Sequence, residues 1–388
     1  MSSGHAAGDS PGATLLAQHH PGLRSRRIPD VNGLDMHILE AGFEAPGRPL
    51  LLLLHGFPEL AFSWRRIMAP LADAGYHVVA PDQRGYGGTS GGSTGYDADL
   101  AQFAMPSLVR DALALVHALG HRKAAAVIGH DFGSPVAAWA ALIRPDVFQA
   151  VVMMSAPFSG PPALPFRPSG TAVHEALAAL DPPRRHYQWY YAGAQANEDM
   201  WHCPQGVHDF LRAYYHVKSA DWPGNAPRPL QAWSATELAK LPTYYVMDAR
   251  CNMAQTVADD MPSAAEVAAC HWLTEAELRV YSDSYAKTGF QGGLNWYRSA
   301  ISDRFNEALS LFAGRTIDVP ACFIAGAADW GIHQKPGAFE AMQSSACTQM
   351  LGCHLIEGAG HWVQQEQPGQ TSALLLDFLG QVARLREQ

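Results

Sequence analysis

The chain lacks the features that would tie it to nucleic acid, a membrane, a metal or an oxidising compartment. It carries 36 acidic against 27 basic residues, a net charge of −9, and has no basic block to follow a phosphate backbone, so nucleic acid is excluded as a partner. Its longest wholly aliphatic run, Leu50 to Leu54, falls far short of the roughly 20 residues a membrane span needs. Six cysteines (Cys203, Cys251, Cys270, Cys322, Cys347 and Cys353) are scattered without C-x-x-C spacing, which points to reduced thiols in the cytoplasm rather than a disulfide framework or a zinc site. Histidine is abundant, at 18 residues, yet no H-E-x-x-H or similar spacing occurs, and no metal is expected. There is no internal repeat. Residues 1–20 are rich in Gly, Ser, Ala and His, lack a basic region followed by an apolar core, and read as a mobile N-terminal tail.

With 388 residues, 48% of them hydrophobic and 16% charged, the chain can bury a sizeable core as one large domain or one domain plus an insertion. From about Leu34 to Ala156 strands and helices alternate, and the continuous apolar strand at Leu50 to Leu54 implies a sheet buried on both faces. After Phe158 the composition turns to Pro-rich loops, aromatics and amphipathic helices with no clear strand until about Asp318, where the strand–helix pattern resumes. The expected organisation is an α/β core of mostly parallel sheet flanked by helices over residues 21–157 and 318–388. A helical cap over residues 158–317 would be inserted at the strand ends, where open α/β sheets hold ligands.

Between the strand Ala124 to Ile128 and a helix beginning near Pro135 lies Gly129-His130-Asp131-Phe132-Gly133-Ser134. This has the shape of a nucleophile elbow, G-x-S-x-G, with aspartate in place of serine. A carboxylate there would attack as a nucleophile and carry a covalent intermediate. The plainer alternative is an ordinary strand–helix connection in which Asp131 caps the helix. A serine esterase fits less well, because Ser134 stands three residues past the elbow position.

Three further segments bear on that choice. His55-Gly56-Phe57-Pro58-Glu59 follows the Leu50–Leu54 strand and can aim the Phe57 N–H at the site, where with the Phe132 N–H it would form an oxyanion hole. Gly358-Ala359-Gly360-His361-Trp362 presents a histidine on small residues, suited to act as general base toward water. Ala327-Ala328-Asp329-Trp330 supplies an acid that can hold the imidazole. Nucleophile, acid and histidine, each just after an expected strand, follow the chain order of α/β-hydrolases.

These segments, together with Arg84-Gly85-Tyr86-Gly87-Gly88-Thr89-Ser90, resemble motifs of the epoxide hydrolase family of the α/β-hydrolase fold, and the resemblance runs from about Pro21 to the C-terminus. It implies Asp131 as nucleophile, His361 as base, Asp329 as its partner, and a cis Phe57–Pro58 bond. The family's cap tyrosines, which hydrogen-bond the epoxide oxygen, would fall on Tyr187 in His186-Tyr187-Gln188-Trp189-Tyr190-Tyr191 and on Tyr297 in Gly289-Phe290-Gln291-Gly292-Gly293-Leu294-Asn295-Trp296-Tyr297-Arg298. Trp189, Trp296, Trp330 and Pro58 are the candidate substrate-binding residues. No cofactor is implied, and the partner is a small-molecule epoxide, with a homodimer open.

The same elbow also serves dehalogenases. A haloalkane dehalogenase commonly places tryptophan after the nucleophile, where this chain has Phe132. A fluoroacetate dehalogenase would place arginine close behind it, and none occurs between Lys123 and Arg144. Dehalogenation therefore stands as the enzymatic alternative, with the three tryptophans as a halide site, and a non-catalytic ligand receptor of the same fold stands as the alternative from another class.

Overall fold

The computed structural model describes residues 20–387 together with Leu16, so the tail expected over residues 1–20 lies almost wholly outside the described residues. Ten strands are present among the described residues: β1 (Arg24–Val31), β2 (Leu34–Ala41), β3 (Leu50–Leu54), β4 (His77–Pro81), β5 (Ala124–His130), β6 (Val151–Met154), β7 (Arg184–His186), β8 (Val246–Asp248), β9 (Ala321–Gly326) and β10 (Met350–Ile356). Eight of them form one sheet in the order β1-β2-β4-β3-β5-β6-β9-β10. The β1–β2 and β2–β4 pairs are antiparallel and the rest parallel, so the sheet is mostly parallel, as expected.

All five leucines of β3 are buried, as are all residues of β6 and β9, because helices cover the sheet on both faces. Helix Met105–Ala118 packs beside Gly133–Ile143, and Arg65–Asp73 packs beside the C-terminal helix Pro368–Glu387. The strand β1 is absent from the sequence-based expectation. Six of its eight residues are exposed, it contains Pro29, and it adds to the sheet only as an antiparallel edge.

Between Met154 and Ala321 the chain leaves this sheet. It forms mainly helices there, the longest being Gly206–Lys218, Glu275–Thr288 and Gln291–Ala300. The stretch expected to hold no strand contains one small antiparallel ribbon, β7 with β8, three residues on each side. Strands that short carry too little alternation to register in a sequence pattern.

Candidate active site

The loops that build the site all leave the carboxyl ends of parallel strands. β3 lies between β4 and β5, so the connections from β3 and into β5 run to opposite sides. That reversal opens a crevice at the strand ends, the usual place for a ligand in an open α/β sheet.

Asp131 follows β5 with φ at 51°, in the left-handed region that side chains rarely occupy. The turn can close this tightly because its flanks are glycines. A Cβ on Gly129 would overlap the Gly133 carbonyl, and one on Gly133 would stand 2.6 Å from the Leu54 carbonyl carbon. The N-cap residue of helix Gly133–Ile143 is Phe132 rather than Asp131. Oδ1 of Asp131 accepts the Phe57 N–H at 2.9 Å, and its Oδ2 lies 3.1 Å from Nε2 of His361. Phe57 and Pro58 are joined by a cis peptide bond. Phe132, the second expected oxyanion-hole residue, is the N-cap residue of the elbow helix.

His361 follows β10, and its Nδ1 stands 3.1 and 3.2 Å from the two carboxylate oxygens of Asp329, which follows β9. The Gly331 N–H fixes Asp329 at 2.7 Å. Asp131, His361 and Asp329, far apart in the chain, thus form one buried carboxylate–imidazole–carboxylate line. Burial alone would raise the Asp131 carboxyl, but the hydrogen bond and charge of His361, with Lys218 and His130 behind it, hold it well below the ordinary carboxylate range. Burial opposes charge on His361, yet Asp329 and the bond to Asp131 leave its pKa raised. The resting arrangement therefore keeps Asp131 ionised, the form in which a carboxylate can attack.

A second buried pair lies behind the first. Glu59 and His130, each fully buried, meet at 2.5 Å between Oε2 and Nδ1. The Nε2 of His130 lies 2.7 Å from the carbonyl oxygen of His361. Glu59 is also held by the Gly56 N–H at 3.1 Å and by the side-chain amides of Gln364 and Gln365 at 2.8 and 3.2 Å. Both residues sit inside motifs named above, but sequence reasoning gave neither a role. The only signal was their position next to Phe57 and Asp131 in the sequence.

The cap closes over Asp131 with aromatic rings. Tyr297, on helix Gln291–Ala300, packs edge-on against Phe57 at 5.7 Å and Phe132 at 5.2 Å between ring centroids. Tyr187, on helix Tyr187–Tyr191, lies 5.8 Å from Tyr297, and its hydroxyl accepts a bond from Gln188 Nε2 at 3.3 Å. Burial first, then the charge of Asp131, holds both phenols well above their ordinary pKa. Both hydroxyls keep their protons and are available as donors.

The remaining candidates divide. Trp296 packs against Phe132 at 5.2 Å, but its indole N–H is committed to the Arg84 carbonyl at 2.9 Å. Trp330 is buried beside Asp329, and its indole N–H has no partner among the described residues. The Pro58 carbonyl accepts the Tyr215 hydroxyl of the cap at 3.2 Å. Trp189 is not brought to the triad: its ring lies 3.7 Å from His174 and borders a separate cleft of about 480 Å³ with Trp233, Gln188 and Lys335. Helical geometry explains this. Residues two apart on a helix point roughly 200° from each other, so a helix that turns Tyr187 inward turns Trp189 away.

A mostly parallel sheet with a nucleophile elbow after β5, an acid after β9 and a histidine after β10 defines an α/β hydrolase. A model of the alpha/beta hydrolase fold family matches residues 49–368. The chain is 36% identical over 366 residues to epoxide hydrolase A of Mycobacterium tuberculosis, covering 92% of this chain and 98% of that one. Among solved structures, epoxide hydrolase A from Mycobacterium thermoresistibile is 35% identical with a TM-score of 0.71, over 92% of this chain and 98% of that one. An epoxide hydrolase from an endophytic Streptomyces gives 31% identity and a TM-score of 0.74, over 94% of this chain and 97% of that one. The chain belongs to the epoxide hydrolase family of α/β hydrolases.

Proposed function

We propose that the protein hydrolyses an epoxide to a vicinal diol in two steps, through an ester on Asp131. The observation that carries this reading is the pair of buried, protonated cap tyrosines gathered with Phe57 and Phe132, the residues that flank the nucleophile. Opening an epoxide generates an alkoxide, which leaves readily only when a proton or hydrogen bond reaches the oxygen. Tyr187 and Tyr297 supply those donors. The Phe57 N–H occupies Oδ1 of Asp131, so Oδ2 is the attacking oxygen and Oδ1 becomes the ester carbonyl. His361, aligned by Asp329, then takes a proton from water as the water attacks Cγ, and the Phe57 and Phe132 N–H groups stabilise the oxyanion. Collapse breaks the ester bond; the departing oxygen takes one water proton through His361, the other replaces the proton supplied at ring opening, and Asp131 returns as a carboxylate with the diol released.

In this reading residues 158–317 are the cap, while 21–157 and 318–388 are the core. The six free cysteines support a cytoplasmic location. The site is complete within one chain, so monomer and homodimer are both compatible with it.

Single turnover in ¹⁸O water tests the covalent route. Label is expected first in the Asp131 carboxylate, located by peptide mass analysis, with unlabelled diol released. Label passing directly into the diol would sink the ester intermediate. One observation favours a second reading, dehalogenation: the buried, unpartnered indole N–H of Trp330 is a donor of the kind a halide needs. A panel of epoxides, haloalkanes and esters, assayed on the protein and on Asp131→Ala, separates diol from halide and acid release. Tight binding without turnover in either protein would favour a receptor.

A further inference from the structure

Lys218 ends the cap helix Gly206–Lys218 and is 3% exposed, unusual for a lysine. Its ammonium lies 4.8 Å from the ring centre of Tyr245, 5.1 Å from Tyr214, 5.7 Å from Trp362 and 5.9 Å from Tyr244. The Tyr214 hydroxyl, at 3.4 Å, is its hydrogen-bond partner, and among the described residues no carboxylate pairs with it. Taking an ammonium out of water without a counter-ion is costly, and ring faces return only part of what hydration supplied. Such a charge acts on whatever ionises nearby. Trp362 borders this cage and lies 4.7 Å from the His361 ring, while the backbone carbonyl of Lys218 accepts the His361 backbone N–H at 2.8 Å. The lysine is thus tied to His361 through the backbone and shares Trp362 with it as a neighbour.

We propose that Lys218 is a positioning charge for the base: its caged ammonium holds the His361 imidazole deprotonated while the ester on Asp131 awaits water. This rests on the two-step reading above. Before attack, two carboxylates flank the imidazole and favour its protonated form. Once Asp131 is alkylated its negative charge is gone, and the Asp329 carboxylate and the Lys218 ammonium act on His361 with opposite sign. The other titratable groups facing it are His130, whose ring centre is 5.0 Å away with Glu59 behind it, and Glu366. Glu366 accepts the N–H groups of Gly360 and Trp362, on either side of His361, at 2.9 Å each. Tyr187 and Tyr297 close the cap side, and His333 lies further along the loop of Asp329. Of the side chains other than histidine in this set, Lys218 alone brings positive charge, and its direction of effect on His361 is toward the neutral base.

The test needs no substrate, so it stands apart from the epoxide reading. In an Asp131→Asn background, which mimics the uncharged ester, the His361 imidazole is titrated by ¹⁵N NMR with and without Lys218→Met. Loss of the ammonium is expected to raise the His361 pKa by about 0.5–1 unit, the size of one unit charge acting across several ångströms of partly screened protein. Lys218→Arg keeps the charge and is expected to leave the titration in place, whereas a merely structural lysine would make both variants shift alike. If the methionine variant does not fold, Lys218→Gln, which retains a donor for Tyr214, makes the same comparison. An unchanged His361 titration in the folded neutral variant overturns the proposal. If the titration shifts but no ester forms in the labelling experiment, the charge coupling stands and the reaction assignment falls.

Discussion

Removing one hydroxyl from the cap should slow ring opening while leaving the fold untouched. The Tyr297 ring is wedged among Phe57, Phe132 and Tyr191 at 5.7, 5.2 and 5.0 Å, contacts that phenylalanine reproduces. Among the described residues no hydrogen bond engages its hydroxyl. Tyr297→Phe therefore removes no internal bond, and the melting temperature should stay near that of the unmodified protein. At Tyr187 the only bond lost is the long one from Gln188, at 3.3 Å, worth about 0.5–1 kcal/mol. The kinetic effect is of another size. A donor aimed at a developing oxyanion contributes about 3–4 kcal/mol, so either single variant should slow alkylation by about 10²–10³-fold. The double variant should abolish detectable ring opening. Rapid-quench single turnover with an aryl epoxide resolves the two steps, with the ester on Asp131 followed by peptide mass analysis and the diol by chromatography. Hydrolysis of ester already formed should change by much less, since the tyrosines do not act on Cγ of Asp131. Single variants that alkylate at the native rate would refute the assignment of these phenols as donors to the epoxide oxygen.

Two further outcomes follow from close contacts. A Cβ on Gly56 would overlap Cβ and Oδ1 of Asp131 and stand 2.7 Å from its Cγ, so Gly56→Ala must displace the nucleophile from the Phe57 N–H. A misplacement near 1 Å costs about 10²-fold in rate, so turnover should fall by at least that much while circular dichroism shows a folded protein. At the seam between core and cap, Arg65, fully buried, meets Glu277 at 2.9 Å, and Glu277 also closes the capping box of Thr274 at the start of helix Glu275–Thr288. Burial pushes the Glu277 carboxyl up, but the charge and bond of Arg65, the Thr274 N–H and Arg66 bring it down from 4.5 to about 2. A depressed carboxyl stabilises the fold fully above about pH 4.5 and loses that contribution as the pH falls through 2. Glu277→Gln keeps the capping box and removes the charge. It should cost about 3 kcal/mol in urea unfolding at pH 7 and far less near pH 2, and an equal cost at both pH values would refute the ion-pair account.

What was legible in the sequence is what depends on local pattern. Leu50–Leu54 reads as a doubly covered strand because no polar residue interrupts it, and the Asp131 elbow reads as a turn because its small flanking residues are the ones the backbone crowding demands. Asp329 and His361 were found because each follows a recognisable strand, and chain order brings strand ends together in this topology. The strands β1, β7 and β8 were missed for the converse reason: one is polar and exposed at the sheet edge, and the other two are too short to alternate. Trp189 reads in the sequence, with Trp296 and Trp330, as a candidate pocket tryptophan, and its place two residues past Tyr187 on the helix points it into another cleft.

The charges around the site were illegible for a deeper reason. Lysine at the end of an amphipathic helix reads as a solvated side chain, and glutamate in a loop reads the same way. Lys218 and Glu59 acquire chemical weight only because residues distant in the chain strip them of water: Tyr244, Tyr245 and Trp362 around the ammonium, Gln364, Gln365 and His130 around the carboxylate. A buried charge costs free energy unless something offsets it, and the residues that carry these charges also hold His361. His130 reaches the His361 carbonyl, the Lys218 backbone carbonyl accepts the His361 backbone N–H, and Asp329 and Asp131 take the two ring nitrogens. The imidazole is thus constrained at its backbone and at both ends of its ring. A base held this way spends its side-chain freedom before substrate arrives, so the geometry for the water attack does not have to be found during turnover.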